Sequence, residues 1–69
     1  MKLSARNVLK GRVVALTPGA VNVEVVIEVA PGVQVVSIIT KSSAESLGLA
    51  VGKDAYAVVK ASSVMVAVD

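Results

Sequence analysis

The chain has 69 residues, 55% of them apolar, and its 7 basic and 5 acidic residues give a net charge of +2. This length predicts a single domain spanning residues 1–69. Because the sequence contains no Cys and no His, it excludes disulfides and the usual ligands of zinc, copper and iron–sulfur sites. Domains this small usually rely on a disulfide, a metal or oligomerisation. Because a small domain cannot bury this many apolar residues in its own core, the sequence predicts a homo-oligomer.

No stretch of the sequence predicts contact with a membrane. The first residues lack the continuous apolar region that marks a signal peptide. No apolar run approaches the roughly 20 residues that span a bilayer. We therefore expect a soluble, cytoplasmic protein.

The first half of the chain predicts three β-strands joined by turns. Residues 7–16 suit a strand that ends at the Pro-Gly turn of residues 17–19. In residues 21–29 every odd position is apolar and most even positions are polar, and this period of two places the odd set on a core face. A second turn, with Gly32 at positive φ, leads into a third strand over residues 33–40. That strand is apolar on both faces, which predicts cover on both sides and hence a subunit interface.

Residues 43–47 predict a short helix. Ser42 and Glu45 have the spacing of a capping box, with Ser42 as the N-cap, and Gly48 predicts the end of the helix. The first N–H groups of a helix lack internal partners and attract anions. The alternative is that this segment only connects two strands.

The rest of the chain predicts two further strands, residues 54–60 and 64–68, and a polar link at residues 60–63 joins them. Five short strands with one helical turn between the third and fourth indicate an all-β fold. We find no internal repeat or linker in the sequence.

Polar hydrogen-bonding groups are concentrated in the run from Ser4 to Gly11. Arg6 offers a planar fork of donors, Ser4 a rotatable hydroxyl, and Asn7 both donates and accepts. A guanidinium suits an anion with several oxygens. The alternative is a solvated strand that places its charges on the outer face.

Catalysis is not expected from the polar residues of this sequence. The sequence has no His, and its carboxylates do not cluster, so general acid–base catalysis and an activated Ser nucleophile lack their usual agents. The chain is therefore predicted to bind a ligand rather than to act as an enzyme.

The run Ser4-Ala5-Arg6-Asn7, followed by an apolar residue and Leu-Lys-Gly, resembles the opening of the molbindin (Mop) family of small molybdate-binding domains. Two later landmarks are similar to that family: Ile39-Thr40 with Ser43-Ala44 and Leu47-Gly48-Leu49, and then Val59-Lys60-Ala61-Ser62. The match covers essentially the whole chain. The resemblance implies a small five-stranded OB-like Greek-key barrel with one short helix.

The resemblance also implies the ligand and its residues. The ligand is molybdate, with tungstate as a second candidate, and the family requires no cofactor and no directly coordinated metal. The family assembles each site from two neighbouring subunits, and its stand-alone members form hexamers. Lys41 departs from the family pattern by adding a charge beside Thr40. The residues carried over to this chain are Ser4, Ala5, Arg6, Asn7, Thr40, Ser43, Lys60 and Ala61.

The sequence is compatible with three functions. Intracellular storage of molybdate is the function that the resemblance favours. A module that senses molybdate for a protein partner is the second, because the family also includes fused domains. The third is an OB barrel that binds nucleic acid, but such barrels stack bases on aromatic side chains, and Tyr56 is the only aromatic residue here.

Overall fold

The computed structural model describes residues 1–69 and contains four β-strands, one α-helix and one 3₁₀ turn. In chain order these are β1 (Asn7–Pro18), β2 (Asn22–Ala30), β3 (Val33–Thr40), α1 (Lys41–Ser46), β4 (Asp54–Val59) and the 3₁₀ turn (Ala61–Ser63). None of its helical segments has the length and apolar character needed to cross a membrane.

The four strands form one antiparallel sheet in the order β3-β2-β1-β4. This is the Greek-key order, in which a longer connection returns the fourth strand to the side of the first. The first half of β1 pairs with β4 and the second half with β2, and a β-bulge falls between Val13 and Ala15. A bulge bends its strand and increases the twist, so the sheet curls. The predicted all-β, OB-like fold is confirmed.

The core lies against one face of this sheet. The odd positions of β2 point into it, as their alternation predicted, and Val25 is only 2% exposed. Val21 was assigned to the same face, but it precedes β2 and is 70% exposed, so the prediction was wrong there. The buried core residues are Val13, Val23, Val25, Ile27 and Ala57.

The predicted fifth strand is absent. Residues 64–68 follow the 3₁₀ turn without pairing to any strand, and Met65 and Val68 are each 93% exposed. β-Propensity describes how well side chains fit a pleated surface, but a strand also needs a neighbour for its backbone hydrogen bonds. No edge of this sheet receives the segment. The strands also differ slightly at their ends: β1 runs on to Pro18, and β4 stops at Val59.

Thr40, rather than Ser42, caps α1. Thr40 has an extended backbone, and its Oγ1 accepts a hydrogen bond from the Ser43 N–H at 3.1 Å. The helix therefore begins at Lys41, and Ser42 lies inside its first turn. An N-cap needs a non-helical backbone, which the last residue of β3 has and Ser42 lacks. The capping box predicted for Ser42 and Glu45 was wrong for this reason.

The end of α1 follows the prediction made from Gly48. Gly48 has φ +63°, its N–H donates to the Glu45 carbonyl at 3.0 Å, and the Leu49 N–H donates to the Ala44 carbonyl at 3.1 Å. These two bonds make a Schellman motif. In addition, Lys53 Nζ donates to the Gly48 carbonyl at 3.0 Å. The short helix is therefore held at both ends.

We expect Thr40→Val to destabilise the domain, because valine keeps the shape of threonine but cannot cap α1. Loss of an N-cap costs about 1 kcal/mol, which lowers the Tm of a domain of this size by roughly 4–8 °C. Ser42→Ala is the matched control and should shift the Tm much less. Equal shifts for the two variants in a thermal melt would contradict the assignment of the cap.

Candidate functional site

An open pocket of about 550 Å³ forms where the N-terminal segment meets the end of β4. The register of β1 against β4 places Asn7 opposite Val59, which brings the residues before β1 next to those after β4. We call this concavity the Arg6–Lys60 pocket. It is lined by Ser4, Ala5, Arg6, Val58, Lys60, Ala61 and Ser62.

The Arg6–Lys60 pocket contains two cations and no carboxylate. None of its polar side chains makes a hydrogen bond within the protein; the four side-chain hydrogen bonds of the chain lie at α1 and its C-terminal end. By contrast, the pocket beside Lys10 and Arg12 also contains Glu28 and Asp54. The Arg6–Lys60 pocket therefore presents uncompensated positive charge and free donors, the combination that suits an anion with several oxygens.

The structure brings together five of the eight predicted site residues in this pocket. Asn7 does not line it, because it is the first residue of β1 and pairs with Val59. Ser62 also lines the pocket; the sequence placed its hydroxyl in the motif Val59-Lys60-Ala61-Ser62, but it was not among the eight residues predicted for the site. The five predicted residues in the pocket are Ser4, Ala5, Arg6, Lys60 and Ala61.

Thr40 and Ser43 lie elsewhere: Thr40 ends β3, and Ser43 lies in the first turn of α1. Thr40 Oγ1 donates to Ser43 Oγ at 2.8 Å, and Ser42 Oγ lies 3.3 Å from Thr40 Oγ1. We call these three residues the hydroxyl cluster. No residue of the hydroxyl cluster lines the Arg6–Lys60 pocket of the same copy. Lys41 is exposed at the start of α1 beside this cluster.

The side chains that commonly hold metal ions are dispersed. No three His, Cys, Asp or Glu residues come close enough together to bind one. The donor set of the Arg6–Lys60 pocket is instead cationic and neutral, which suits an anion and not a bare metal cation.

A curled Greek-key sheet with a cationic, carboxylate-free pocket at its rim defines a small OB-like domain equipped for an anionic ligand. The chain belongs to the TOBE domain family, whose model matches residues 3–66, and to the molbindin (Mop) group that its N-terminal motif indicated. It is 50% identical over 66 residues to molybdenum-pterin-binding protein 2 of Clostridium pasteurianum, covering 96% of this chain and 97% of that protein.

Solved structures agree with this assignment. MopII from Clostridium pasteurianum superposes with a TM-score of 0.90 at 48% identity, covering 97% of this chain and 100% of that one. The cytoplasmic molybdate-binding protein ModG superposes with a TM-score of 0.82 at 56% identity. That match covers 88% of this chain but only 43% of the ModG chain.

Proposed function

We propose that this chain binds molybdate reversibly as an oxyanion and serves to store it inside the cell. The observation that carries the proposal is the Arg6–Lys60 pocket, in which two cations converge without a carboxylate or any internal hydrogen bond. Relatives named for molybdenum and molybdate, at about half identity over the whole chain, support the choice of anion. Tungstate has the same charge and shape and is the second candidate ligand.

The pocket favours the oxyanion over a flat heterocycle. Several relatives are named molybdenum-pterin-binding proteins, and a flat pterin ring stacks best on the face of an aromatic side chain. Tyr56 is the only aromatic residue and does not line the Arg6–Lys60 pocket. We therefore propose the anion, not the pterin, as the ligand of this pocket.

We further propose that the complete site is shared between copies of the chain. No residue of the hydroxyl cluster lines the Arg6–Lys60 pocket of its own copy, so we expect Thr40 and Ser43 to join Arg6 and Lys60 around one anion when a second copy supplies one of the two groups. Asn7, next to the pocket, completes the proposed set.

Exposed apolar surface supports the assembly. Val66 is 88% exposed in the unpaired C-terminal segment, and Ile38 is 66% exposed on the outer face of β3. Such patches on a small domain mark interaction surfaces. We propose a homo-oligomer, and the resemblance to the Mop family makes a hexamer the expected size.

The cellular role follows from the chemistry and the relatives. A pocket whose polar side chains are two cations and two hydroxyls, without a carboxylate or an imidazole, can bind and release its ligand without changing it, which fits storage. ModG, a molybdate-binding relative, is described as cytoplasmic, and this supports a cytoplasmic location here. Sensing on behalf of a protein partner uses the same binding step and is the alternative role.

Isothermal titration calorimetry with four ligands tests the proposed function. We expect molybdate and tungstate to bind more tightly than sulfate or phosphate. Sulfate is smaller, so donors held at fixed positions lie too far from its oxygens. Phosphate is partly protonated near neutral pH, and Arg6 and Lys60 can donate but cannot accept a hydrogen bond from its O–H.

An oligonucleotide titrated under the same conditions is the control for the nucleic-acid alternative and should give no binding. Equal affinities for sulfate and molybdate would contradict the proposal of a molybdate site. Binding of the oligonucleotide alone would replace it by the nucleic-acid function.

A further inference from the structure

Val58 is the one branched apolar side chain that lines the Arg6–Lys60 pocket. The other apolar groups there are the methyl groups of Ala5 and Ala61, and the remaining side chains are the two cations and two hydroxyls. Val58 lies in β4, two residues before Lys60, and is 47% exposed. The hydrogen bonds proposed for molybdate involve neither of its methyl groups.

The β1–β4 register explains why Val58 reaches the pocket. Val8 of β1 pairs with Val58 of β4. The same register, extended two residues past this pair, sets Arg6 opposite Lys60. Residues two apart in a strand share a face of the sheet, so Val58 lies on the same face as both cations. The cations therefore stand at the rim of the pocket, and Val58 lies further in along the sheet.

Val58 also lines a second cavity, which is apolar. This cavity has a volume of about 410 Å³ and is lined in addition by core-facing residues such as Val25 and Ile39. Moving an anion into apolar surroundings is costly, because the anion loses its hydration. Since Val58 borders both cavities, it separates the charged one from the apolar one and limits how deep an anion can sit beneath the two cations.

A fixed apolar floor distinguishes tetrahedral dianions of different size. Molybdate and tungstate are larger than selenate, and selenate is larger than sulfate, although all four have the same charge and shape. A floor at one depth lets the oxygens of only one size of anion reach the donors at the rim. The floor also excludes water from one side of the anion, and the Born cost of taking an ion out of water falls as its radius grows. Both effects favour the larger anions.

We propose that Val58 determines the selectivity of the anion site: its side chain forms the floor that sets the preference for molybdate over smaller dianions of the same shape. The inference rests on the proposed function and adds to it a residue that makes no hydrogen bond with the ligand. It does not depend on how copies of the chain meet, because Val58, Arg6 and Lys60 line one pocket of one copy.

Two substitutions change the floor in different ways. Val58→Ile adds one methylene and makes the pocket shallower, which moves a large anion away from the rim donors more than a small one. Val58→Thr keeps the shape but places a hydroxyl in the floor, which reduces the advantage of the less strongly hydrated anion. Val8→Ile and Val8→Thr are the matched controls, because Val8 pairs with Val58, is 37% exposed and does not line the pocket.

Calorimetric titration with molybdate and with selenate gives the ratio of the two dissociation constants for each protein, with circular dichroism to confirm folding. A general loss of stability weakens the binding of both anions and leaves this ratio unchanged. We expect the preference for molybdate to fall about tenfold in Val58→Ile, the lower end of the effect that one methylene has in an apolar pocket. It should fall severalfold in Val58→Thr, and both Val8 controls should keep the wild-type ratio.

A lower preference in at least one Val58 variant, with the controls unchanged, supports the assigned role. A preference at or above the wild-type value in both Val58 variants would overturn it, as would an equal fall in the Val8 controls.

The wild-type titration is read separately. If the wild type prefers molybdate and both Val58 variants keep that preference, the role of Val58 fails and the proposed function stands. If the wild type binds selenate as tightly as molybdate, or binds neither anion, the proposed function fails and the role of Val58 fails with it.

Discussion

We expect Arg6→Gln and Lys60→Met each to weaken molybdate binding about ten- to a hundredfold. A hydrogen bond that involves a charged group contributes roughly 1.5–3 kcal/mol, and 1.4 kcal/mol corresponds to a factor of ten in affinity. Glutamine keeps a neutral donor near the position of the guanidinium, and methionine keeps the apolar stem of the lysine, so both substitutions remove charge while retaining most of the volume. Calorimetric titration of each variant measures the change.

The double variant with both substitutions should lose less affinity than the sum of the single losses, because both residues contact one ligand. Thermal melts give an independent reading. Molybdate raises the Tm of the wild-type protein by mass action, and the rise should be far smaller for Lys60→Met. Without ligand, Lys60→Met should melt no lower than the wild type, since the pocket holds two cations and no counter-charge.

Lys10→Met is the control for these measurements. Lys10 lines a different pocket, which contains two carboxylates, so its removal should leave the molybdate-dependent rise in Tm intact. A full wild-type rise for Lys60→Met would show that Lys60 is a solvated strand end. The assignment of the pocket to the anion would then be wrong at that position.

Gly11→Ala should destabilise the fold severely. A Cβ atom at Gly11 would collide with the backbone carbonyl oxygen of Glu28 and lie 2.9 Å from Cγ2 of Ile27. The obstacle is the backbone of the neighbouring strand, which cannot move without disturbing the β1–β2 ladder. Overpacking of this kind costs about 1–3 kcal/mol and occasionally more, and each kcal/mol lowers the Tm of a small domain by roughly 4–8 °C.

Gly19→Ala is the matched control, because a Cβ atom there would meet only the Asn22 carbonyl oxygen, at 3.3 Å. We expect its Tm to stay within a few degrees of the wild type, and the folded fraction of Gly11→Ala to fall first in a denaturant titration. Similar melting curves for the two variants would mean that β1 and β2 can separate to admit a methyl group at Gly11.

The parts of the fold that local pattern controls could be predicted from the sequence. The alternation in β2 identified Val23, Val25 and Ile27 as core residues, and Gly48 correctly marked the end of α1. The C-terminal segment could not be predicted in the same way. Residues 64–68 have the composition of a strand, but whether they pair depends on a free edge elsewhere in the assembly, which a local pattern does not contain.

The candidate site could likewise be predicted only in part. The motif Ser4-Ala5-Arg6-Asn7 was noticed for its polar chemistry, whereas Lys60 and Ala61 were carried over from the family resemblance. The β1–β4 register brings most of these residues together. That Thr40 and Ser43 do not line this pocket could not be foreseen, because it depends on the order of the strands in the sheet. Ser62 lies in the polar link that the sequence singled out, but it was not among the residues that the resemblance carried over.

The pairing of β1 with β4 has a consequence for the order in which the chain folds. The β1–β2 and β2–β3 hairpins join segments that are adjacent in sequence, whereas Asn7 and Val59 come from near opposite ends of the chain. Closing a long loop costs more entropy than closing a short one, and such non-local pairing slows folding. The two hairpins should therefore form early and the β1–β4 ladder late. Because that ladder brings the residues before β1 next to Lys60, a partly folded chain lacks the Arg6–Lys60 pocket. If the site is shared as proposed above, a newly made copy must finish folding before it can join a second copy in holding molybdate.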